Sequence, residues 1–145
     1  MVKNTKKITI IIPCKNEEQN IKRCLSSIEL SIYPKEYIEV LIIDGLSTDK
    51  TLDEIDLYQK NSELKIKVIQ NEKGYQNFGF NKGLEFAKGE IITRLDGHSI
   101  INKYFLESSV NYLTVENPFA MAVGCLLETR PQKETYIGLS ISIVM

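Results

Sequence analysis

Short apolar runs alternate with helix-like patterns along this sequence, and that alternation constrains the fold more than any other feature. The runs are rich in β-branched residues and end in proline or polar residues, which is typical of strands buried in a sheet. They are Ile8–Ile12, Ile38–Asp44, Lys65–Gln70 and Ile91–Leu95. Strands that alternate with helices of about 10–15 residues predict a mainly parallel sheet joined by right-handed crossovers. The third run alternates polar and apolar residues, so we expect an edge or half-exposed strand there.

Apolar residues at helical spacing mark the segments between these strands. The residues predicted to face the sheet are Ile21, Cys24, Leu25 and Ile28, then Leu52, Ile55 and Tyr58, then Phe80, Gly83, Leu84 and Ala87. The predicted caps are Asn16 for the first helix, with Glu17 and Glu18 in its first turn, Ser47 or Thr48 for the second, and Lys88 with Gly89 at the end of the third.

The sequence beyond Leu95 predicts one more helix and one more strand. Leu106, Val110 and Leu113 have helical spacing, and Pro118 is expected to end that helix. The run Phe119–Leu127 predicts a further strand.

Size and composition describe an ordinary globular protein. The chain has 145 residues, is 43% hydrophobic and 26% charged, and carries a net charge of −1. We therefore expect one domain over residues 1–145 and no nucleic-acid binding. Three cysteines without a C-x-x-C pair favour reduced thiols in a cytosolic setting. The apolar stretch Ile137–Met145 stops without a polar cap, so we expect the domain to be incomplete.

Three of the predicted strands end in polar residues that the strands themselves do not require. The first is followed by P-C-K-N-E-E from Pro13 to Glu18, and the second by D-G-L-S-T-D from Asp44 to Asp49. A carboxylate at the position of Asp44 can accept hydrogen bonds from a ribose or a base. The last is D-G-H, and Asp96 and His98 with a glycine between them can converge on one divalent cation. This mixed oxygen and nitrogen donor set suits Mn²⁺ better than Ca²⁺.

Several familiar site motifs are absent from the sequence. Gly74 and Gly79 are spaced like the ends of a phosphate loop, but Phe80 and Asn81 follow where lysine and serine or threonine would be needed. No G-x-G-x-x-G follows the first strand, and the single histidine leaves little room for a hydrolase triad. The sequence therefore disfavours a P-loop NTPase, a dinucleotide-dependent dehydrogenase and a triad hydrolase.

Three of these segments together resemble a known family. I-I-I-P-C-K-N-E-E, I-E-V-L-I-I-D-G-L-S-T-D-K-T and N-K-G-L-E-F-A-K-G-E-I-I-T-R-L-D-G-H are similar, in order and spacing, to the amino-terminal half of family-two inverting glycosyltransferases. The similarity is greatest to bacterial enzymes of exopolysaccharide and succinoglycan biosynthesis. It implies a Rossmann-like GT-A fold, an α/β nucleotide-sugar-binding domain with a mainly parallel central sheet flanked by helices.

The resemblance also implies roles for individual residues. The implied nucleotide-sugar-binding residues are Pro13, Asn16, Glu17, Asp44, Asn81 and Asp96, and the implied metal ligands are Asp96 and His98 in a D-x-H variant of the family's D-x-D motif. Phe80 stands where many members carry arginine. Arg94 either faces the diphosphate or lies on the far side of the sheet.

The implied reaction is transfer of a sugar from a UDP-sugar to a saccharide or lipid-linked acceptor, assisted by Mn²⁺ or Mg²⁺. The family supplies its general base from a later acidic motif, so we expect no catalytic base within the chain and a base beyond Met145. We expect a cytoplasmic protein of cell-envelope polysaccharide biosynthesis, held at the inner face of the membrane only by a missing carboxyl-terminal part. Homo-oligomer formation is left open.

Two other functions remain as alternatives at this point. A nucleotidyltransferase also combines a parallel sheet with a metal held by carboxylates, but no basic, glycine-rich triphosphate loop follows the first strand. A non-catalytic nucleotide-binding or assembly module would keep the sheet and act through a partner.

Overall fold

A computed structural model of the chain describes residues 5–124. Its strands are β1 (Ile8–Cys14), β2 (Ile38–Asp44), β3 (Lys65–Gln70) and β4 (Ile91–Arg94). Its α-helices are α1 (Ile21–Glu29), α2 (Thr51–Gln59), α3 (Gln76–Phe86) and α4 (Phe105–Asn111), with a 3₁₀ turn at Lys35–Tyr37 and a π-helical turn at Tyr112–Glu116.

The four strands form one parallel sheet in the order β3-β2-β1-β4. The predicted α/β class is therefore confirmed. The chain runs outward from β1 to β2 and β3 and then returns to place β4 on the other side of β1. This reversal creates a switch point between β1 and β4, and open α/β sheets bind ligands at the carboxyl ends of strands on either side of such a point.

Both faces of the sheet are covered by helices. One face packs alternate β1 residues, Ile8, Ile10 and Ile12, against α1, α2 and α4. The other face packs Ile11 and its β2 neighbours Leu41 and Ile43 near α3. The side-chain alternation of a strand sends successive isoleucines to opposite layers, so a continuous isoleucine run suits the buried position of β1.

Two glycines allow α3 and the segment after it to approach β1 closely. A Cβ at Gly83 would lie 2.5 Å from the Ile11 side chain, and one at Gly89 would lie 2.4 Å from the Thr9 backbone nitrogen. The helix ends at Phe86, so the prediction that Gly89 caps it is wrong. Gly89 is instead the residue at which the backbone passes against β1, and its N–H donates to the Thr9 hydroxyl.

Some element predictions are corrected by the structure. The first helix begins at Ile21 and not after Asn16, because Asn16 takes a left-handed φ of 56° and its side chain contacts the next loop. The second helix begins at Thr51, beyond both predicted caps. Leu52 and Leu84, predicted to face the sheet, are 41% and 44% exposed.

The two ends of the predicted strand set differ in outcome. β3 is an edge strand, as its alternating pattern predicted. The run Ile91–Leu95 was predicted to be buried, but β4 has only β1 as a neighbour among the described strands and its Ile92 is 37% exposed. Residues 119–124 of the predicted strand Phe119–Leu127 form turns and irregular structure, and the rest of it lies outside the described residues. Within residues 5–124, no helix is long and apolar enough to cross a membrane.

Candidate functional site

The polar segments that follow β1, β2 and β4 meet at the carboxyl edge of the sheet. Cys14 pairs in register with Asp44, and the turn after β4 continues from Leu95, whose N–H donates to the Ile11 carbonyl. Parallel strands bring these ends to one edge, and the switch point lies between the first and the last of them. The structure therefore brings together three of the sequence segments that were singled out as candidate binding motifs.

Asp44 is buried at this edge, with 2% of its surface exposed. Both of its carboxylate oxygens accept from the Ser47 N–H, at 3.3 and 3.2 Å. Leu46 between them has a φ of 64°, so the chain turns back over the carboxylate. The carboxylate is fixed in place by its own loop, as a group that recognises a hydroxyl must be.

The loop after β1 is joined to the loop after β2 by hydrogen bonds in both directions. The Asn16 side-chain oxygen accepts from the Thr48 N–H at 2.8 Å, and the Asn16 N–H donates to the Ser47 hydroxyl at 3.0 Å. The Glu17 N–H donates to the Thr51 hydroxyl at 2.7 Å. Ser47 and Thr48, predicted as caps, therefore serve to connect the two loops.

Asp49 and Glu18 add a reciprocal pair to the same connection. The Glu18 N–H donates to Asp49 Oδ2 at 3.1 Å, and the Lys50 N–H donates to Glu18 Oε2 at 3.0 Å. Asp49 Oδ1 also accepts from the Thr51 N–H and hydroxyl at the start of α2. Burial alone would raise the pKa of the Asp49 carboxyl, but the hydrogen bonds from Thr51 and Glu18 outweigh it and hold that pKa below its usual value.

The loop after β3 packs against the loop after β2 at the same edge of the sheet, and the two approach each other at glycines. The Asn71 N–H donates to the Asp44 carbonyl at 2.7 Å, and Gly74 follows with a φ of 71°. A Cβ on Gly45 would lie 3.1 Å from the Gly74 carbonyl oxygen, so the close approach of the two loops favours glycine at 45, while the left-handed φ favours glycine at 74. Gly79 packs against Pro13, which places the start of α3 beside the first loop.

Asp96 and His98 lie in the turn after β4, with side chains 37% and 54% exposed. The Ser99 N–H donates to the Asp96 carbonyl at 2.8 Å and closes the turn. Arg94 Nη2 lies 3.2 Å from Asp96 Oδ1. Arg94 pairs in register with Ile11, and its guanidinium lies over the Phe80 ring, so it occupies the α3 face of the sheet beside Asp96.

Glu17 joins the first loop to the turn after β4. Its Oε1 lies 2.9 Å from His98 Nδ1, and its Oε2 accepts from the Asn20 side-chain amide at 2.9 Å. This contact crosses the switch point between β1 and β4. No pattern in the sequence predicts this contact, because 81 positions separate the two residues.

Several carboxylates lie near the two buried cysteines at this edge of the sheet. Burial raises the pKa of the Cys14 thiol to about 12, and Asp44 and Glu17 reinforce the shift. Burial also raises the pKa of the Cys24 thiol to about 12, with further contributions from Glu17 and Asp96. The carboxylates that add to the effect of burial on both thiols also favour a cation at the same place.

The donor chemistry at this edge fits a first-row divalent cation. Asp96 offers carboxylate oxygens and His98 an imidazole nitrogen, from one turn of chain, and carboxylate and imidazole both suit metals such as Mn²⁺. Among residues 5–124, no group of three histidine, cysteine, aspartate or glutamate side chains is placed to hold a metal ion. Two protein ligands leave room for oxygens from a diphosphate.

The predicted site residues thus fall into three groups. Pro13, Asn16, Glu17 and Asp44 lie together at the loops after β1 and β2, and Asp96 and His98 lie in the adjoining turn. Asn81 lies exposed in α3, and none of the hydrogen bonds that join the strand-end loops within the described part of the chain involves it.

A parallel sheet flanked by helices, with polar loops at the carboxyl ends of its strands, places the chain in the Rossmann-like class of α/β domains. Residues 9–139 match the model of glycosyl transferase family 2, and the chain belongs to that family. The fold is that of the GT-A glycosyltransferases: the chain superimposes on a Staphylococcus aureus TarS structure, in complex with UDP-GlcNAc, with a TM-score of 0.72 at 28% identity. The match covers 84% of this chain and 37% of that one.

Other relatives and structures agree with this assignment. A Methanococcus voltae dolichyl N-acetyl-alpha-D-glucosaminyl phosphate 3-beta-D-2,3-diacetamido-2,3-dideoxy-beta-D-glucuronosyltransferase is 39% identical over 124 residues, which are 83% of this chain and 39% of that protein. The poly(ribitol-phosphate) beta-N-acetylglucosaminyltransferase TarS of Staphylococcus aureus is 30% identical over 74% of this chain and 19% of its own length. The mannosyltransferase PcManGT of Pyrobaculum calidifontis, solved with GDP-Man and Mn²⁺, has a TM-score of 0.74 at 22% identity, covers 97% of this chain and 40% of that one, and shows the fold alone.

This chain therefore spans about two fifths or less of these relatives. The family assignment covers nearly all of it, while the succinoglycan type predicted from the sequence is narrower than the family that the match establishes.

Proposed function

We propose that this protein is the donor-binding part of a glycosyltransferase that takes a sugar from a UDP-sugar. The observation that carries the proposal is the placement of Asp44, the loop from Pro13 to Glu17, and Asp96 with His98 along one carboxyl edge of a family-2 sheet. Asp44 is buried and fixed, so it can accept hydrogen bonds from the base or ribose. The choice of UDP as the nucleotide is supported by the TarS relative, which was solved with UDP-GlcNAc.

Asp96 and His98 are the residues that would hold a divalent cation, Mn²⁺ or Mg²⁺, beside the diphosphate. As a Lewis acid, such an ion stabilises the negative charge that develops on a departing diphosphate. The carboxylates that crowd this edge favour its binding, and the exposure of both side chains leaves them accessible to a donor. Arg94 lies next to Asp96 and adds a positive charge on the same side of the turn.

We propose that the transfer inverts the configuration at the anomeric carbon of the sugar and that the acceptor is a saccharide or is lipid-linked. Inversion in one displacement requires a general base to remove the acceptor proton. We assign no residue of this chain to that role. Relatives whose names specify dolichyl phosphate and poly(ribitol-phosphate) substrates support lipid-linked and envelope-polymer acceptors as a class. Such a role fits a cytoplasmic protein at the inner face of the cell membrane.

Calorimetry with UDP, with and without Mn²⁺, tests the proposal. UDP should bind more tightly with Mn²⁺ than without it. In the presence of Mn²⁺, Asp96→Ala should weaken UDP binding at least about tenfold, which corresponds to about 1.4 kcal/mol. Asp53→Ala is the matched control, because Asp53 lies exposed on α2. Metal-independent UDP binding of equal strength in the wild type and Asp96→Ala would exclude the metal assignment.

The same preparation discriminates the alternatives. Release of pyrophosphate from a sugar phosphate and UTP would indicate a nucleotidyltransferase, although family membership now argues against one. Absence of nucleotide binding together with a defined complex or dimer would favour an assembly module.

A further inference from the structure

We infer that Glu17 is a positioning residue that sets the tautomer and orientation of His98 for metal binding. This inference rests on the function proposed above, because it assigns His98 to the metal. It concerns a residue that the sequence analysis placed in the nucleotide loop and not at the metal. The contact that carries it joins Glu17 Oε1 to His98 Nδ1 at 2.9 Å.

Glu17 is the fixed member of this pair. Its side chain is 17% exposed, against 54% for His98. Its second carboxylate oxygen accepts from the Asn20 amide, its N–H donates to the Thr51 hydroxyl, and its carbonyl accepts from the N–H groups of Asn20 and Ile21. The backbone of Glu17 is held at three points and its carboxylate by Asn20, so the carboxylate directs the imidazole, and the more exposed imidazole adjusts to it.

The chemistry of the pair fixes which imidazole nitrogen is free. An ionised carboxylate can only accept a hydrogen bond, so the proton of a neutral imidazole must lie on Nδ1. Nε2 then keeps its lone pair and can bind a cation. Histidine ligands in metal sites commonly donate their other N–H to a carboxylate, which fixes the ring and raises its basicity. The same pattern is present here across the switch point.

Gly97 lies against the Glu17 side chain and leaves room for it. A Cβ at Gly97 would lie 3.0 Å from Glu17 Cγ and 3.1 Å from Cys14 Cβ. The glycine between Asp96 and His98 therefore lets the turn pass directly over the Glu17 side chain. Glycine in D-G-H thus also avoids a close contact with Glu17, besides allowing the tight turn that the sequence predicted.

Two readouts test the inference on the 145-residue chain. His98 is the single histidine of the sequence, so long-range ¹⁵N–¹H NMR reports its tautomer without assignment ambiguity. At pH about 8.5, where an ordinary imidazole is neutral, the wild type should show the Nδ1–H form and Glu17→Ala the Nε2–H form. Glu17→Gln keeps an acceptor oxygen and should preserve the Nδ1–H form.

The second readout is Mn²⁺ affinity measured calorimetrically in the presence of UDP. Glu17→Ala should weaken Mn²⁺ binding by about 10–100-fold, with Glu17→Gln between it and the wild type. Glu85→Ala is the matched control: it removes an exposed carboxylate near the end of α3 that is outside the hydrogen bonds of the strand-end loops, and it should change neither the tautomer nor Mn²⁺ affinity. Circular dichroism checks that each variant folds.

The outcomes separate this inference from the proposed function. If His98→Ala weakens Mn²⁺ binding but Glu17→Ala matches the wild type in either readout, the positioning role is overturned and the metal site stands. If the wild type itself binds no Mn²⁺ with UDP present, the metal site and the positioning role are both overturned.

Discussion

The nucleotide side of the candidate site and its metal side are built differently. On the nucleotide side, the loops after β1 and β2 exchange hydrogen bonds through Asn16, Ser47 and Thr48, and Asp44 is buried. On the metal side, Asp96 and His98 are exposed, and among the described residues their side chains form polar pairs with Arg94 and Glu17 respectively.

This difference indicates which part of the site is formed before ligands arrive. Ordering the nucleotide loops is a cost met during folding, so less of the binding free energy is lost when a nucleotide binds. On the metal side, Asp96 and His98 offer two donors, and a cation held there would need further oxygens, such as those of a diphosphate, to complete its coordination shell. The comparison therefore predicts that substitutions on the nucleotide side affect both stability and binding, whereas those on the metal side affect binding alone.

The largest effect is expected for Asp44. Asp44→Ala leaves the Ser47 N–H without its buried acceptor and removes the group assigned to the ribose or base. Hydrogen bonds to charged groups contribute about 1.5–3 kcal/mol, so UDP affinity should fall about 10–150-fold, with and without Mn²⁺. Calorimetry measures this change. Asp44→Asn keeps an acceptor oxygen and should lose less, and an Asp44→Ala affinity equal to the wild type would remove Asp44 from the nucleotide side.

The next effect concerns Asn16, which connects the two loops. Asn16→Ala loses the hydrogen bond to Thr48 and places a residue with a Cβ, but no compensating polar group, at a φ of 56°. The free energy of unfolding should fall by about 2–3 kcal/mol, measured by urea denaturation. Asn16→Gly tolerates the left-handed backbone and should lose about 1 kcal/mol, that of the hydrogen bond alone. Equal losses in both variants would mean that the backbone conformation contributes nothing.

The strands could be predicted well from their apolar and β-branched runs. β2 and β3 have the predicted bounds because the mostly apolar run Ile38–Asp44 and the largely alternating run Lys65–Gln70 both favour a strand over a helix. The helix faces were harder. Ile55 is buried as predicted, but Leu52 is not, because α2 buries few of its residues against the sheet. Because α2 contacts the sheet over so few residues, helical spacing of apolar residues predicts poorly which of them are buried.

The candidate site could be predicted as segments but not as contacts. Parallel strands bring their carboxyl ends to one edge, so the location of Asp44 and the D-G-H turn at the same edge of the sheet followed from the strand pattern. The Glu17–His98 pair did not, since it depends on the strand order and on where α1 begins. Asn16 was assigned to a cap because its left-handed φ and its bond to Thr48 are tertiary features.

A smaller effect is expected from acid, through Asp49 on the nucleotide side. Its hydrogen bonds with Thr51 and Glu18 hold its pKa below the ordinary value of 3.8. Because the pKa is lower in the folded state, the stabilisation is complete above pH 3.8 and is lost as pH falls through the folded-state pKa. Asp49→Asn should therefore be less stable than the wild type by about 1 kcal/mol at pH 7, and the gap should narrow below pH 3.8. Urea denaturation at pH 7 and below pH 3.8 tests this. A difference in the free energy of unfolding that grows in acid would contradict it.

The smallest effect on stability is expected on the metal side, and it decides whether the two sides really differ. His98→Ala removes an imidazole that is 54% exposed and whose contact is a pair with Glu17 at the surface of the turn. Exposed pairs contribute about 0–1 kcal/mol, so the free energy of unfolding should change by less than about 0.5 kcal/mol, although Mn²⁺ binding is lost. Urea denaturation without metal, next to Asn16→Ala, makes the comparison. If His98→Ala costs as much as Asn16→Ala, the turn after β4 is as much a part of the folded framework as the loops after β1 and β2, and the metal side is formed before its ligands arrive.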